Sequence, residues 1–176
     1  MHISPKQAEK DALRTVANLM LASARTAPKA RGIDNLKMLI LTGKEKNMLA
    51  NKMKKIGIRN EHHTFIRDAQ NVKEADIIIL IGTKVAPLNL KTCGLCGYKN
   101  CAENLKNNGI CIFNISDLGI ALGSAVSIAS LHHVDNRIMY TAGYAAKEMK
   151  LLGNNVKVIF GIPLSIKGKN IFFDRK

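Results

Sequence analysis

The stretch Asp76 to Gly82, DIIILIG, is apolar without alternating, and a run of that kind reads as a central strand. Two further strands stand apart from it in the chain: LKMLILT, Leu36 to Thr42, followed by Gly43, and VKVIFGI, closed by Pro163. The helices announce themselves by period and caps. Ser4, Pro5 and Gln7 make a Ser-x-x-Gln capping box with proline at the first helical position. Leu13, Val16, Ala17, Met20, Leu21 and Ala24 then recur on one face, and Pro28 and Gly32 end the helix. Lys44 to Ile56 reads as a second amphipathic helix with Leu49, Met53 and Ile56 inward and Gly57 as its C-cap.

A weak strand is expected around His63 to Ile66, with Asp68 starting a short helix. Leu118 to Leu131, apolar nearly all round, reads as a buried core helix. Asp135 caps a last helix whose Ile138, Ala142, Ala145, Met149 and Leu152 form a stripe stopped by Gly153. The tail has a Gly-Lys-Asn turn and exposes Ile171, Phe172 and Phe173. This order predicts an α/β or α+β core: residues 1–176 form a single domain, and residues 85–111, rich in Gly and Asn and lacking periodicity, form one insert. At 176 residues the chain is long enough for a core without disulfide staples. The amino terminus carries no apolar signal region, and the Leu118–Leu131 stretch is shorter than the roughly 18–20 residues of a membrane span. A cytoplasmic protein with no membrane partner is expected, and in a reducing compartment cysteines point to metal or redox chemistry.

All four cysteines fall in the insert, in Cys93-Gly94-Leu95-Cys96-Gly97-Tyr98-Lys99-Asn100-Cys101 and then Cys111, a spacing of C-x2-C-x4-C-x9-C. An iron–sulfur cubane needs four thiolates converging on one compact anionic object. A loop wrapped tightly around it needs glycine where the backbone turns with positive φ, and Gly94 and Gly97 each follow a cysteine. Structural zinc more often uses two CxxC knuckles, whereas one knuckle is followed here by single cysteines. The compact spacing favours a [4Fe-4S] cluster over zinc, a [2Fe-2S] centre, disulfides or free thiols.

The loop CGLCGYKNCAE resembles the iron–sulfur motif of corrinoid iron–sulfur proteins and of membrane electron-transport subunits. More broadly, ARTAPKARGIDNL, this loop, DLGIALGSAVSIAS, VDNRIMYTAG and GIPLSIKGKNIFFDR together resemble a family of uncharacterised ferredoxin-domain-containing proteins. That resemblance implies an iron–sulfur protein with Cys93, Cys96, Cys101 and Cys111 as ligands. A second resemblance is to the nitroreductase-like fold. It is carried by the segment Ala27 to Asn35, by Leu118 to Ser124, and by Phe160-Gly161-Ile162-Pro163. It implies a three-layer core, bound FMN, and a homodimer with an exchanged C-terminal tail. The residues it places at the flavin are Arg25, Lys29, Arg31, Asn35, Gly123 and Ser124; three of them are cations near one helix end, and the Arg guanidinium suits forked contacts to a phosphate.

Lys and Arg number 27 against 13 Asp and Glu, a formal charge of +14. Such an excess steers acidic partners and raises the question of nucleic acid. Aromatics are only 5% and tryptophan is absent, and the lysines scatter over helix faces, which argues against nucleic acid. An acidic redox partner protein fits the charge. His62-His63 and His132-His133 are neighbours whose side chains diverge, so they read as polar boundary residues. The expectation is an intracellular iron–sulfur protein passing single electrons, coupled to FMN if it is an oxidoreductase. The alternatives are a non-catalytic electron carrier or sensing module, and a zinc-bearing nucleic-acid-binding protein. No residue is assigned a catalytic role.

Overall fold

The computed structural model describes residues 2–173. The non-alternating strand, β2 (Ile77–Lys84), sits between β1 (Leu36–Thr42) and β4 (Val156–Ser165) in a four-stranded antiparallel sheet that β3 (Asp135–Asn136) completes, in the order β1-β2-β4-β3. Its lack of alternation has a direct cause. Ile77, Ile79 and Ile81 point to one face, under α1 (Pro5–Thr26) and α5 (Ile112–Leu131). Ile78 and Leu80 point to the other, under α2 (Gly43–Arg59), α3 (His63–Glu74) and α6 (Tyr140–Glu148). Both faces are covered, so both must be apolar. The result is a three-layer helix–sheet–helix core, as the fold resemblance implies.

Several expectations are corrected. The segment His63–Ile66 is helical, because Phe65, Ala69 and Val72 recur at helical spacing and pack on α2. Asp68 lies inside that helix, buried, and accepts from the Thr141 hydroxyl at 2.7 Å. Gly57 does not end α2. It lies within it, where a Cβ would stand 2.8 Å from Ile66 Cγ1, so it allows α3 to approach. Asp135 pairs with Ser165 as part of β3 (Asp135–Asn136), and the helix starts only at Tyr140, leaving Ile138 half-exposed.

β4 runs through Pro163, which stands opposite Ile78. Gly161 exchanges both backbone hydrogen bonds with Met139, at 2.8 and 3.0 Å, on the side away from β2. By alternation Pro163 faces that same side, where the neighbouring strand is interrupted, so its missing N–H removes no bond to β2. The capping box is half formed: Ser4 Oγ accepts from the Gln7 N–H at 3.3 Å, while the Gln7 side chain donates to Asp11.

The tail is not exposed as expected. Phe172 is buried against the α2, α3 and α6 layer, its carbonyl accepts from Arg137 at 2.8 Å, and the Ile171 carbonyl accepts from Asn71. Only Phe173 stands largely in solvent. Through Phe173 the tail therefore docks on its own chain; residues 174–176 lie outside the described residues. The long helix α5 is also not buried all round. Leu118, Ala121, Leu122, Ala125 and Ala129 enter the core, but Ile112, Gly119, Ile120, Gly123, Ser127 and Leu131 face outward.

Candidate functional site

The cysteine insert leaves the end of β2 and is pinned to the core at three points. The Ala86 N–H donates to Asn114 Oδ1 at 2.8 Å, Arg31 donates to the Leu88 carbonyl at 2.8 Å, and the Leu88 side chain is buried. Beyond that anchor Gly94 and Gly97 adopt φ of +130° and +86°, with the Gly97 N–H donating to the Gly94 carbonyl at 2.9 Å. The positive φ anticipated for these two glycines is therefore present. Asn100 accepts from the Glu103 N–H at 2.9 Å and the Glu103 carboxylate accepts from the Lys99 N–H at 2.7 Å. This reciprocal cap sets Cys101 as the first residue of the short helix α4 (Cys101–Lys106).

The helix α4 closes with Asn108 left-handed at φ +52°, the Gly109 N–H bonding to the Asn104 carbonyl at 2.8 Å and the Asn108 N–H to that of Leu105 at 3.0 Å. Tyr98 lies against this turn: a Cβ on Gly109 would stand 2.6 Å from Tyr98 Cε2. Cys111 then occupies the N-cap of α5, where the helix dipole favours negative charge.

Cys93 is exposed, Cys96 and Cys101 are half-buried and Cys111 is buried; none is in a disulfide. One segment thus carries all four thiols. Among the described residues no three His, Cys, Asp or Glu side chains are gathered into a metal-binding group. Ligand closure in such sites is coupled to binding of the metal, so the chain offers a donor set on a turning backbone. Unpaired buried amides accompany it. Asn104 Oδ1, Asn114 Nδ2 and Asn35 Nδ2 are buried with no hydrogen-bond partner. The Asn114 amide is oriented by its bond from Ala86, which leaves Nδ2 as a free donor three residues past Cys111. Buried N–H donors are the kind of group that, within reach of cluster sulfur, holds and tunes a cluster. The thiols, the two glycines and this amide fit an iron–sulfur group.

The residues that the flavin resemblance names lie at the same end of the sheet, but they are largely engaged. Arg25 pairs with Asp34 and donates to the Leu36 carbonyl at 3.3 Å. Burial raises the Asp34 carboxyl, but hydrogen bonds from Arg25 and the Leu36 N–H, with the charges of Arg25 and Lys29, outweigh it and hold the group below the ordinary aspartate range. The Lys29 ammonium bonds to the carbonyls of Ala24, Arg25 and Ala27, closing the end of α1. Arg31, at φ +57° in the 3-10 turn Ala30–Gly32, keeps an exposed guanidinium apart from its bond to Leu88. The Asn35 carbonyl accepts from the Lys84 N–H at 3.0 Å. The Ser124 carbonyl accepts from Ser23 at 3.0 Å, and Gly123 faces open space. Arg25 and Lys29 are thus spent on their own loop, and a phosphate grip reduces to Arg31.

Two residues that tie the site together were not anticipated. Asp117 accepts from the Ala30 N–H at 3.0 Å, joining α5 to the 27–35 loop, and Asn114 joins α5 to the insert. The signal was present, since Asn114 and Asp117 are polar interruptions of an otherwise apolar helix and both are buried. Elsewhere, α1 and the starts of α2 and β2 enclose a cavity of about 500 Å³ lined by both charges, with Lys10, Asp11, Arg14 and Glu74 among its walls. No residue of the insert lines it. Its most buried cation, Lys46, is spent on the Val72 and Lys73 carbonyls at 2.8 Å, and burial holds its ammonium below the usual lysine value.

Solved flavoproteins share this three-layer architecture. The BluB-like flavoprotein of Clostridium difficile 630 aligns with a TM-score of 0.59 at 16% identity, over 100% of this chain and 86% of its own. The FMN-dependent nitroreductase of Clostridium difficile R20291 aligns with a TM-score of 0.57 at 13% identity, over 96% and 79%. The core therefore has the nitroreductase-like fold. A family model described as "Uncharacterized protein containing a ferredoxin domain" matches residues 107–175, a span that includes Cys111 but not the other three cysteines. An uncharacterized protein of Archaeoglobus fulgidus is 37% identical over 183 aligned positions, covering 99% of this chain and 98% of that one. The chain belongs to this ferredoxin-domain-containing family.

Proposed function

We propose that this protein is a cytoplasmic iron–sulfur redox protein in which Cys93, Cys96, Cys101 and Cys111 hold a [4Fe-4S] cluster at one end of the nitroreductase-like core. When bound, such a cluster supplies one-electron chemistry. The observation that carries this reading is the insert itself. Four free thiols share it with two positive-φ glycines, and the core supplies a buried, oriented, unpaired amide three residues past Cys111. Membership of a ferredoxin-domain family supports the same reading.

Anaerobic purification followed by metal analysis and a visible spectrum tests it. The expected protein is brown, with broad absorbance near about 400 nm that bleaches on reduction. Cys96→Ser is expected to lose the iron while its circular dichroism stays that of a folded core. A colourless protein carrying zinc, or a Cys96→Ser variant with unchanged iron, overturns the assignment.

A coupled FMN is supported by the fold and by the flavin named for the solved relative from Clostridium difficile R20291. The engaged state of Arg25 and Lys29 speaks against a ready-made phosphate grip. Flavin released by acid favours an oxidoreductase; an iron-loaded protein without flavin favours an electron carrier or sensing module. The outward face of α5 supports a homodimer, since it carries no charge and includes the half-exposed Ile120 beside the open Gly119 and Gly123.

A further inference from the structure

The insert turns an apolar face to solvent. Leu95 is 73% exposed, Leu105 55%, Ile110 46% and Ile112 39%. Large apolar side chains exposed within one short segment are the raw material of an interaction site. All four stand in or directly after one short segment. The turn that closes α4 bonds the Gly109 N–H to the Asn104 carbonyl between Leu105 and Ile110, and Tyr98, three residues past Leu95, packs on Gly109. Leu88 and Cys111 anchor the segment from beneath.

The rim is cationic. Lys91, Lys99 and Lys106 are exposed, and the single acid between residues 85 and 112 is Glu103, whose carboxylate is taken up by the Lys99 N–H. An apolar centre with a lysine rim is complementary to a partner that presents an apolar spot ringed by carboxylates. A second copy of this chain would bring lysine against lysine here.

We infer that this face of the insert, with Leu95, Leu105 and Ile110 at its centre, is the docking surface for an acidic electron-carrier protein. The inference rests on the cluster reading above and deepens it by naming where and with what kind of protein the cysteines exchange electrons. The lysines steer the approach and set the salt dependence; the leucines and isoleucine hold the complex.

Calorimetric titration of the anaerobically purified protein with an acidic flavodoxin tests this, at low and at high salt. Wild type is expected to bind, more weakly in high salt. Leu105→Ser and the double reversal Lys99→Glu, Lys106→Glu are each expected to lose affinity by about tenfold or more. Lys147→Glu, a reversal of an exposed charge on α6, is expected to leave it unchanged. Equal losses from the Lys147 and insert reversals would mean diffuse attraction to the net charge and would overturn the inference. So would binding to phosphatidylserine vesicles with none to flavodoxin, or Leu105→Ser abolishing self-association instead. Calorimetry reads binding whether or not the preparation carries iron. A chain without iron that still binds through the insert therefore fails the cluster reading alone, and an iron-loaded chain that ignores flavodoxin fails the docking inference alone.

Discussion

Asp117 shows how one buried carboxylate can organise a site from a distance. It sits on the core side of α5, and its bond to the Ala30 N–H spans eighty-seven positions of sequence. The loop it holds presents Arg31, which in turn grips the insert at Leu88. Asp117→Ala is expected to leave the Ala30 N–H without its partner and to lower stability by about 1–3 kcal/mol. Asp117→Asn keeps a carbonyl oxygen in the same place and is expected to recover most of that loss. Thermal unfolding of the two variants beside wild type measures the difference. Asn114 works similarly for the insert, through Ala86.

Among the elements, α6 is seated tightly on the sheet at Gly143. A Cβ on Gly143 would lie 1.7 Å from the Ile159 carbonyl oxygen and 2.9 Å from the Phe160 Cα, both backbone atoms of β4. No rotamer relieves a clash with backbone, so Gly143→Ala must push the helix off the sheet. The expected cost is more than about 3 kcal/mol, at the severe end for a single substitution, read as a lower denaturation midpoint. Gly123→Ala on α5 is the contrast. Its Cβ meets nothing within 4 Å and its position is exposed, so there alanine is expected to be neutral or slightly stabilising through helix propensity.

The whole molecule divides its work between the two ends of the sheet. The 27–35 loop, the insert and the first turns of α5 gather at one end. The mixed-charge cavity lies at the other, where β1 ends and β2 begins. Its net charge of +14 is carried largely on outward lysines, while the outer face of α5 carries none. Association through that uncharged face predicts a dimer in sedimentation equilibrium that Ile120→Asp converts to monomer without loss of iron. A variant that stays dimeric excludes α5 as the contact.

What could be read from the chain alone was whatever short-range chemistry dictates. The bounds of β1, the central place of β2, the start of α1 at Ser4-Pro5 and the positive φ of Gly94 and Gly97 all follow from side-chain period, caps and steric freedom within a few residues. The clustering of the four thiols was legible for the same reason, since they are neighbours in sequence. Tertiary structure decided the remainder. His63–Ile66 became helix because α2 offered an apolar face and Gly57 let it close in; Asp135 joined the sheet because β4 presented a free edge; Phe172 was buried because Asn71 and Arg137 took up the tail's carbonyls. Each outcome depends on a partner in another element, not on the segment's own pattern alone. Local pattern states which face of a segment is apolar, and only the assembled fold determines what covers it.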